Sequence, residues 1–204
     1  MMSSRNTLKL AITGGIGSGK SYVTALLKKR HIPIYNSDAE AKRLMMVSST
    51  IREGLCSLVS SDVYCPDGTL NRTLLAEWMF ASTERIERVN ALVHPVVKED
   101  FLRWSSQQDA PIVVMECAIL FESGFDALVD KVLLVTAPEQ VRIERVMKRD
   151  NVSAEQVLAR IAAQMSDKER SQKADYILNN DGDGNIEIAL STILNTIENE
   201  LLSY

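Results

Sequence analysis

The sequence predicts an α/β fold built on a parallel five-stranded sheet, and three observations carry that reading. Five short, β-rich apolar runs alternate with stretches of helical period. The runs are continuous, as in Ile112-Val113-Val114-Met115, which suits parallel strands buried on both faces. A glycine-rich segment stands between the first run and the first helical period, where a strand must turn into a helix.

The first strand is expected over 8–13. It leads into Gly14-Gly15-Ile16-Gly17-Ser18-Gly19-Lys20-Ser21, which fits GxxxxGK[ST]. Small residues let successive backbone N–H groups turn inward around a polyphosphate, Lys20 can reach its outer phosphates, and the Ser21 hydroxyl can hold Mg²⁺. A helix over 22–30 would add its positive end. The second strand is expected over 32–35. Ser37-Asp38-Ala39-Glu40 then has the pattern of a capping box. That places Asp38 in a first helical turn at the carboxyl edge of the sheet, where ligands bind in open α/β folds. The helix dipole alone favours an acid there, by about 0.3–1 kcal/mol. A kinase with a hydroxyl acceptor would also put its proton-accepting carboxylate there.

From 38 to 109 there is no convincing buried strand but several helical periods, read as an inserted helical subdomain. Its pieces are punctuated by Ser48-Ser49, Pro66-Asp67-Gly68 and His94-Pro95, where proline can open a helix at its first position. The third strand, 112–115, ends in Glu116. This is either a simple strand-end acid or an acid that orients Mg²⁺ through water. The fourth strand, 131–135, precedes a helix after Pro138 in which Arg142, Arg145 and Arg149 share one face and Ile143, Val146 and Met147 another. The charged face is either solvated, with ion pairs to Glu139 or Asp150, or part of a lid. Arg160, Lys168, Arg170 and Lys173 follow on two short helices opened by Ser153-Ala154-Glu155-Gln156 and Ser166-Asp167-Lys168-Glu169, so 139–173 reads as a basic lid that can close on a transferring phosphoryl group. The fifth strand is expected over 176–178. One domain over 1–204 thus has a core of 7–37, 110–138 and 174–204, with strand order 2-3-1-4-5.

Composition limits the function classes. Of 204 residues, 46% are hydrophobic and 25% charged, close to the globular average and far from disorder. The net charge of −4 argues against broad nucleic-acid binding, so any basic site is local. Cys56, Cys65 and Cys117 are odd in number and lack CxxC spacing, which points to neither a zinc site nor a disulfide framework and fits a reducing cytoplasm. Glycines interrupt the N-terminal apolar run, and no run of about eighteen apolar residues occurs, so neither export nor a membrane span is expected.

Together these motifs resemble the dephospho-CoA kinases, and the likeness covers nearly the whole chain. The family's extended P-loop is matched by Ile12-Thr13-Gly14-Gly15-Ile16-Gly17-Ser18-Gly19-Lys20-Ser21, and its strand-end segment by Ile34-Tyr35-Asn36-Ser37-Asp38. Further matches are Asn90-Ala91-Leu92-Val93-His94-Pro95, Leu120-Phe121-Glu122 and Glu144-Arg145-Val146-Met147-Lys148-Arg149-Asp150. The resemblance implies a P-loop kinase that uses ATP with Mg²⁺ to phosphorylate the ribose 3′-hydroxyl of dephospho-CoA. In it Asp38 is the general base, Lys20 and Arg145 stabilise charge on the γ-phosphoryl, and Arg149 supports the lid. The backbone of Gly15 to Tyr22 holds ATP, with Asn180 in the adenine-side loop. The helical insertion binds the acceptor, with His94, Leu120 and Phe121 near it. His94 could equally cap or pack before Pro95, and Asn180 could be an ordinary turn residue.

The chain departs from the family pattern at Tyr22, where threonine is commoner, at Cys117-Ala118-Ile119, and at Asn36, where an aspartate is frequent. A monomer acting on small-molecule substrates is expected, with neither nucleic acid nor membrane as partner. The alternative is a nucleoside or nucleoside monophosphate kinase of the same fold. A regulatory nucleotide switch is disfavoured because no Asn-Lys-x-Asp sequence occurs.

Overall fold

The structure, a computed structural model, describes residues 7–182 and 184–202. Residues 1–6 of the expected single domain, and 183, 203 and 204 of its expected core, lie outside the described residues. The chain divides into two compact units, 1–35 with 107–204, and 36–106.

The first unit carries the sheet, in the order β2-β3-β1-β4-β5. Its strands are β1 (Leu8–Thr13), β2 (Ile34–Asn36), β3 (Ile112–Glu116), β4 (Lys131–Thr136) and β5 (Tyr176–Asn179). β1 pairs in parallel with β3 on one side and β4 on the other. β2 starts later than expected because Pro33 has no N–H for the ladder; its carbonyl still accepts from Val114 N–H at 2.9 Å. Alternate residues Leu8, Leu10 and Ile12, with Ile112, Val114, Leu133 and Val135, form one buried face. Against them pack Val23, Leu26 and Leu27 of α1 (Lys20–Lys29) and Leu190, Leu194 and Ile197 of α9 (Ile186–Leu202). Each such side chain contributes about 1.5–3 kcal/mol on burial.

Between β4 and β5 run α6 (Glu139–Asp150), α7 (Ala154–Ala162) and α8 (Asp167–Ser171). Both expected capping boxes here form: Ser153 with Gln156, and Ser166 with Glu169. Ile143, Val146 and Val157 make a small separate core, with Ile16 packed against it.

The second unit is helical: α2 (Ser37–Val47), α3 (Ser49–Leu58), α4 (Arg72–Phe80) and α5 (Thr83–Ser106). Pro95 does not open a helix; it lies inside α5. Val89, Val93, Val97 and Phe101 form a continuous buried stripe across it, while Pro95 itself is exposed. Burial of that stripe outweighs the lost backbone hydrogen bond. Among the described residues no helix is long and apolar enough to cross a membrane.

Both tryptophans of the chain, Trp78 and Trp104, fall in the second unit, so intrinsic fluorescence reports its unfolding. Phe101 is fully buried and its ring stacks on Trp104 at 6.2 Å. Phe101→Ala is expected to cost about 3–5 kcal/mol in urea unfolding followed by tryptophan emission. A loss below about 1 kcal/mol would show that α5 is not the centre of this unit's core.

Candidate active site

The glycine-rich loop springs from β1, the central strand. In register beside it, Ile12 pairs with Glu116 of β3 and Thr13 with Leu134 of β4. Gly19 caps α1 with φ 98°, and a Cβ there would lie 2.0 Å from Asn180 Nδ2, so both backbone and space demand glycine. Lys20 Nζ donates to Gly14 O at 2.6 Å and Gly15 O at 3.2 Å. Its ammonium therefore spans the start of the loop. Ser21 Oγ donates to Glu116 Oε1 at 3.1 Å, and Thr24 Oγ1 donates to Glu116 Oε2 at 3.3 Å. Tyr22 is half exposed, and its N–H donates to Gly19 O at 3.0 Å. These hydroxyl and carboxylate oxygens form a hard donor set of the kind Mg²⁺ takes.

Arg142 is the most deeply buried arginine on α6, with Arg145 half-buried and Arg149 exposed. Its guanidinium is buried, with Nε donating to Ile16 O at 2.9 Å and Nη1 paired with Asp167 Oδ2 at 2.6 Å. It fills the space a side chain on Gly15 would need, 2.3 Å from that Cβ position. Asp167 Oδ1 also pairs with Arg170, which is 1% exposed and reaches Glu122 at 3.4 Å. Gln164 Oε1 accepts from Ile16 N–H at 2.9 Å. So Arg142 and Arg170 brace the loop and the α8 segment, which removes two of the basic side chains expected to form a lid.

Arg149 and Arg160 both turn to Asp150, at 2.7 and 2.8 Å. Arg149 first, then Arg160, holds that carboxyl down to about 2. Arg145 differs: Nη2 donates to Asn180 Oδ1 at 3.5 Å, and buried Nη1 has no hydrogen-bond partner among the described residues. Asn180 Nδ2 in turn donates to Ser18 O at 2.8 Å. Ser18 Oγ is likewise buried without a partner among the described residues. An unmade buried hydrogen bond costs about 1–3 kcal/mol, and two such atoms flanking one loop fit a ligand rich in acceptor oxygens.

Leu120 is fully buried after β3, while Phe121 is half-buried with Lys173 Nζ 5.4 Å from its ring centre. Asp38 and His94 belong to the second unit. Asp38 is exposed in the first turn of α2. The cap of that helix is Asn36, whose side chain accepts from Ala39 N–H at 2.8 Å; Ser37, the expected cap, is already helical and buried. Asparagine and aspartate cap about equally well, so this departure from the family pattern leaves α2 capped. His94 is half-buried on α5, and burial, then Lys98, pushes its imidazole toward the neutral form.

The loop, Glu116, Arg145 and Asn180 thus come together in the first unit, whereas Arg149 is turned to an acid. Sequence reasoning missed Thr24, Gln164 and the burial of Arg142. Thr24 lies one helical turn after Ser21, a usable signal; Gln164 stands in no motif.

The family model of dephospho-CoA kinase matches residues 8–185. A dephospho-CoA kinase of Bacteroides fragilis is 48% identical over 177 residues, 86% of each chain. One from Thermus thermophilus is 38% identical over 191 residues, 93% of this chain and 92% of that one. Among solved structures, a crystal structure from Thermus thermophilus has a TM-score of 0.80 at 37% identity, covering 96% of this chain and 98% of that one. Shikimate kinase from Acinetobacter baumannii, with a TM-score of 0.58 at 16% identity and 96% of both chains covered, shares the fold.

Because Asp150's carboxyl is depressed in the folded chain, its stabilising contribution is present above the unfolded value and lost as pH falls. The difference in melting temperature between the wild type and Asp150→Asn should be constant above about pH 4 and shrink toward about pH 2. Thermal melts across that range test it; a difference that grows on acidification would contradict the pairing.

Proposed function

The chain belongs to the dephospho-CoA kinase family, and from that premise we infer its reaction: ATP-dependent phosphorylation of dephospho-CoA to coenzyme A. The acceptor atom in this reading is the ribose 3′-hydroxyl, and ADP leaves. The observation that carries it is the convergence of Lys20, Ser21, Glu116 and Arg145 on the glycine-rich loop, with one Arg145 nitrogen buried and unpartnered among the described residues.

Each residue then has a task set by its chemistry. Within the loop from Gly15 to Tyr22, backbone N–H groups other than those of Ile16, Ser18 and Tyr22, which are taken by Gln164, Gly15 and Gly19, hold the phosphates of ATP, and Tyr22 contributes through the helix end rather than its side chain. Lys20 leaves its loop carbonyls to meet the outer phosphates, and Arg145 supplies its free donor to the γ-phosphoryl as charge develops there. Ser21 would hold Mg²⁺ directly and Glu116 through water; when bound, that ion supplies charge neutralisation on the β- and γ-phosphates. Asp38 accepts the proton of the 3′-hydroxyl as its oxygen bonds to phosphorus and the bond to the β–γ bridging oxygen breaks, with that electron pair leaving on ADP. Asn180 braces Arg145 against Ser18, and Arg149 stays with Asp150 in support of the lid, 139–173. The helical segment 38–109 binds the acceptor, where a neutral His94 can accept or donate one hydrogen bond. Phe121 offers an apolar face, while Leu120 anchors its loop from within the core.

Asp38→Asn should slow single-turnover phosphorylation of dephospho-CoA by roughly 10²–10⁴-fold, the typical worth of a general base, while costing at most about 1 kcal/mol of stability. Fast transfer in a slightly destabilised variant would reduce Asp38 to a helix-start residue and reopen the choice of acceptor.

Arg145→Ala should lower kcat far more than it weakens ATP binding, because its charge acts mainly on the transition state. Lys148→Ala, exposed on the same helix, is the control, since buried Arg142 cannot be altered without disturbing the loop. Equal small effects of Arg145→Ala and Lys148→Ala on turnover would remove Arg145 from the chemistry.

A further inference from the structure

Ile16 is gripped from three directions by one segment of the chain. Its N–H donates to Gln164 Oε1 at 2.9 Å, its carbonyl accepts from Arg142 Nε at 2.9 Å, and its side chain packs on Ile143, Val146 and Val157. All of these residues lie within 139–173, on α6, α7 and the connection from α7 to α8. We propose that Gln164 and Arg142 are positioning residues that help set the shape of the phosphate cradle through the two peptides either side of Ile16, so that ATP affinity depends on the seating of the α6–α8 segment.

The physical reason lies in the flanking glycines. Gly15 and Gly17 give the Ile16 peptide the most permissive neighbours available, and Gly17 has φ 79°. One backbone bond, Ser18 N–H to Gly15 O at 3.2 Å, closes the turn around Ile16. Neither polar group of Ile16 takes part in that bond. The Gly15–Ile16 peptide, whose carbonyl already accepts from Ser18 N–H and Lys20 Nζ, is held at its N–H by Gln164, and the Ile16–Gly17 peptide is held at its carbonyl by Arg142. Together these bonds set where the next amides, from Gly17 to Lys20, point. Arg142 is itself held by Asp167, and Asp167 by Arg170, so the grip on the carbonyl is fixed from behind by buried charge. Gln164 is fixed by its place in the chain: Met165 N–H, the next along, donates to Glu122 Oε1 at 3.2 Å. A cradle shaped before the ligand arrives binds more tightly because less order is lost on binding. The proposal rests on the kinase reading only in taking ATP as the ligand.

The test uses the full chain and ATP binding by titration calorimetry without acceptor, alongside kcat at saturating ATP. Gln164→Met keeps size and removes the acceptor. It is expected to raise the Kd for ATP roughly 3- to 10-fold, the worth of one neutral hydrogen bond, with kcat within about twofold of wild type. Arg142→Lys, which keeps the charge but loses the planar fork, should move Kd in the same direction. Gln156→Ala opens the capping box of α7 without touching Ile16; it should lower the melting temperature and leave Kd unchanged. An unchanged Kd in Gln164→Met overturns the proposal, as does a fall in kcat without a rise in Kd, or an equal rise in Gln156→Ala. Wild-type protein that binds ATP but fails to phosphorylate dephospho-CoA sinks the functional reading and leaves this test standing; wild type that binds no ATP sinks both.

Discussion

A loop that must offer amides to a ligand can spend few of them on holding itself together, and the rest of the first unit is arranged around that constraint. Secondary structure would satisfy the backbone of 14–19 but also close it. Side chains from elsewhere hold it from outside. Lys20 takes the carbonyls of Gly14 and Gly15, Arg142 that of Ile16, and Asn180 that of Ser18. Carbonyls are thus held by side chains, and of the loop's amides Ser18 N–H closes the turn on Gly15 while Ile16 N–H goes to Gln164. The glycines follow from this arrangement as much as from the ligand, because Arg142 and Asn180 occupy the space that side chains on Gly15 and Gly19 would fill.

Holding a loop with arginine requires taking guanidinium groups out of water, and the chain compensates with shared acids. Asp167 gives one oxygen to Arg142 and the other to Arg170, while Glu122 takes a second nitrogen of Arg170. Burying an ion pair is rarely a net gain, yet breaking one leaves a buried charge at a cost of about 3–5 kcal/mol. Net stability is therefore a weak account of such a cluster. The cluster ties the loop after β3, the start of α8 and the glycine-rich loop into one body, which apolar packing alone would leave free to slide.

The sheet and the loop were legible in the sequence because each rests on local pattern: continuous β-rich runs for β1, β3 and β4, and glycine spacing for the turn into α1. The misreadings came where tertiary packing overrode a local rule. Pro95 signals a helix start by itself, but the stripe from Val89 to Phe101 continues through it. Ser37 signals a cap, but Asn36 one residue earlier caps the helix and draws Ser37 into its first turn. Arg142 falls on the charged face by helical period, and only the approach of Asp167 and Ile16 reveals it as buried. Gln164 could not have been found, because its partner is 148 residues away and no motif marks it.

The distribution of acids in 139–173 gives an argument for Arg145 that does not need any resemblance. Arg142 and Arg170 share Asp167, and Arg149 and Arg160 share Asp150. Arg145 alone of these five has no carboxylate partner among the described residues; it meets the amide of Asn180 instead. An amide oxygen orients a guanidinium without cancelling its charge, and the next bond of that amide goes to Ser18 in the loop. In a protein with net charge −4, acids were available to pair with it. A half-buried cation held beside a phosphate-type loop by a neutral partner costs free energy in the isolated fold. That cost is recovered only when an anion arrives, and Arg145 is therefore placed where the chain gains most from binding one.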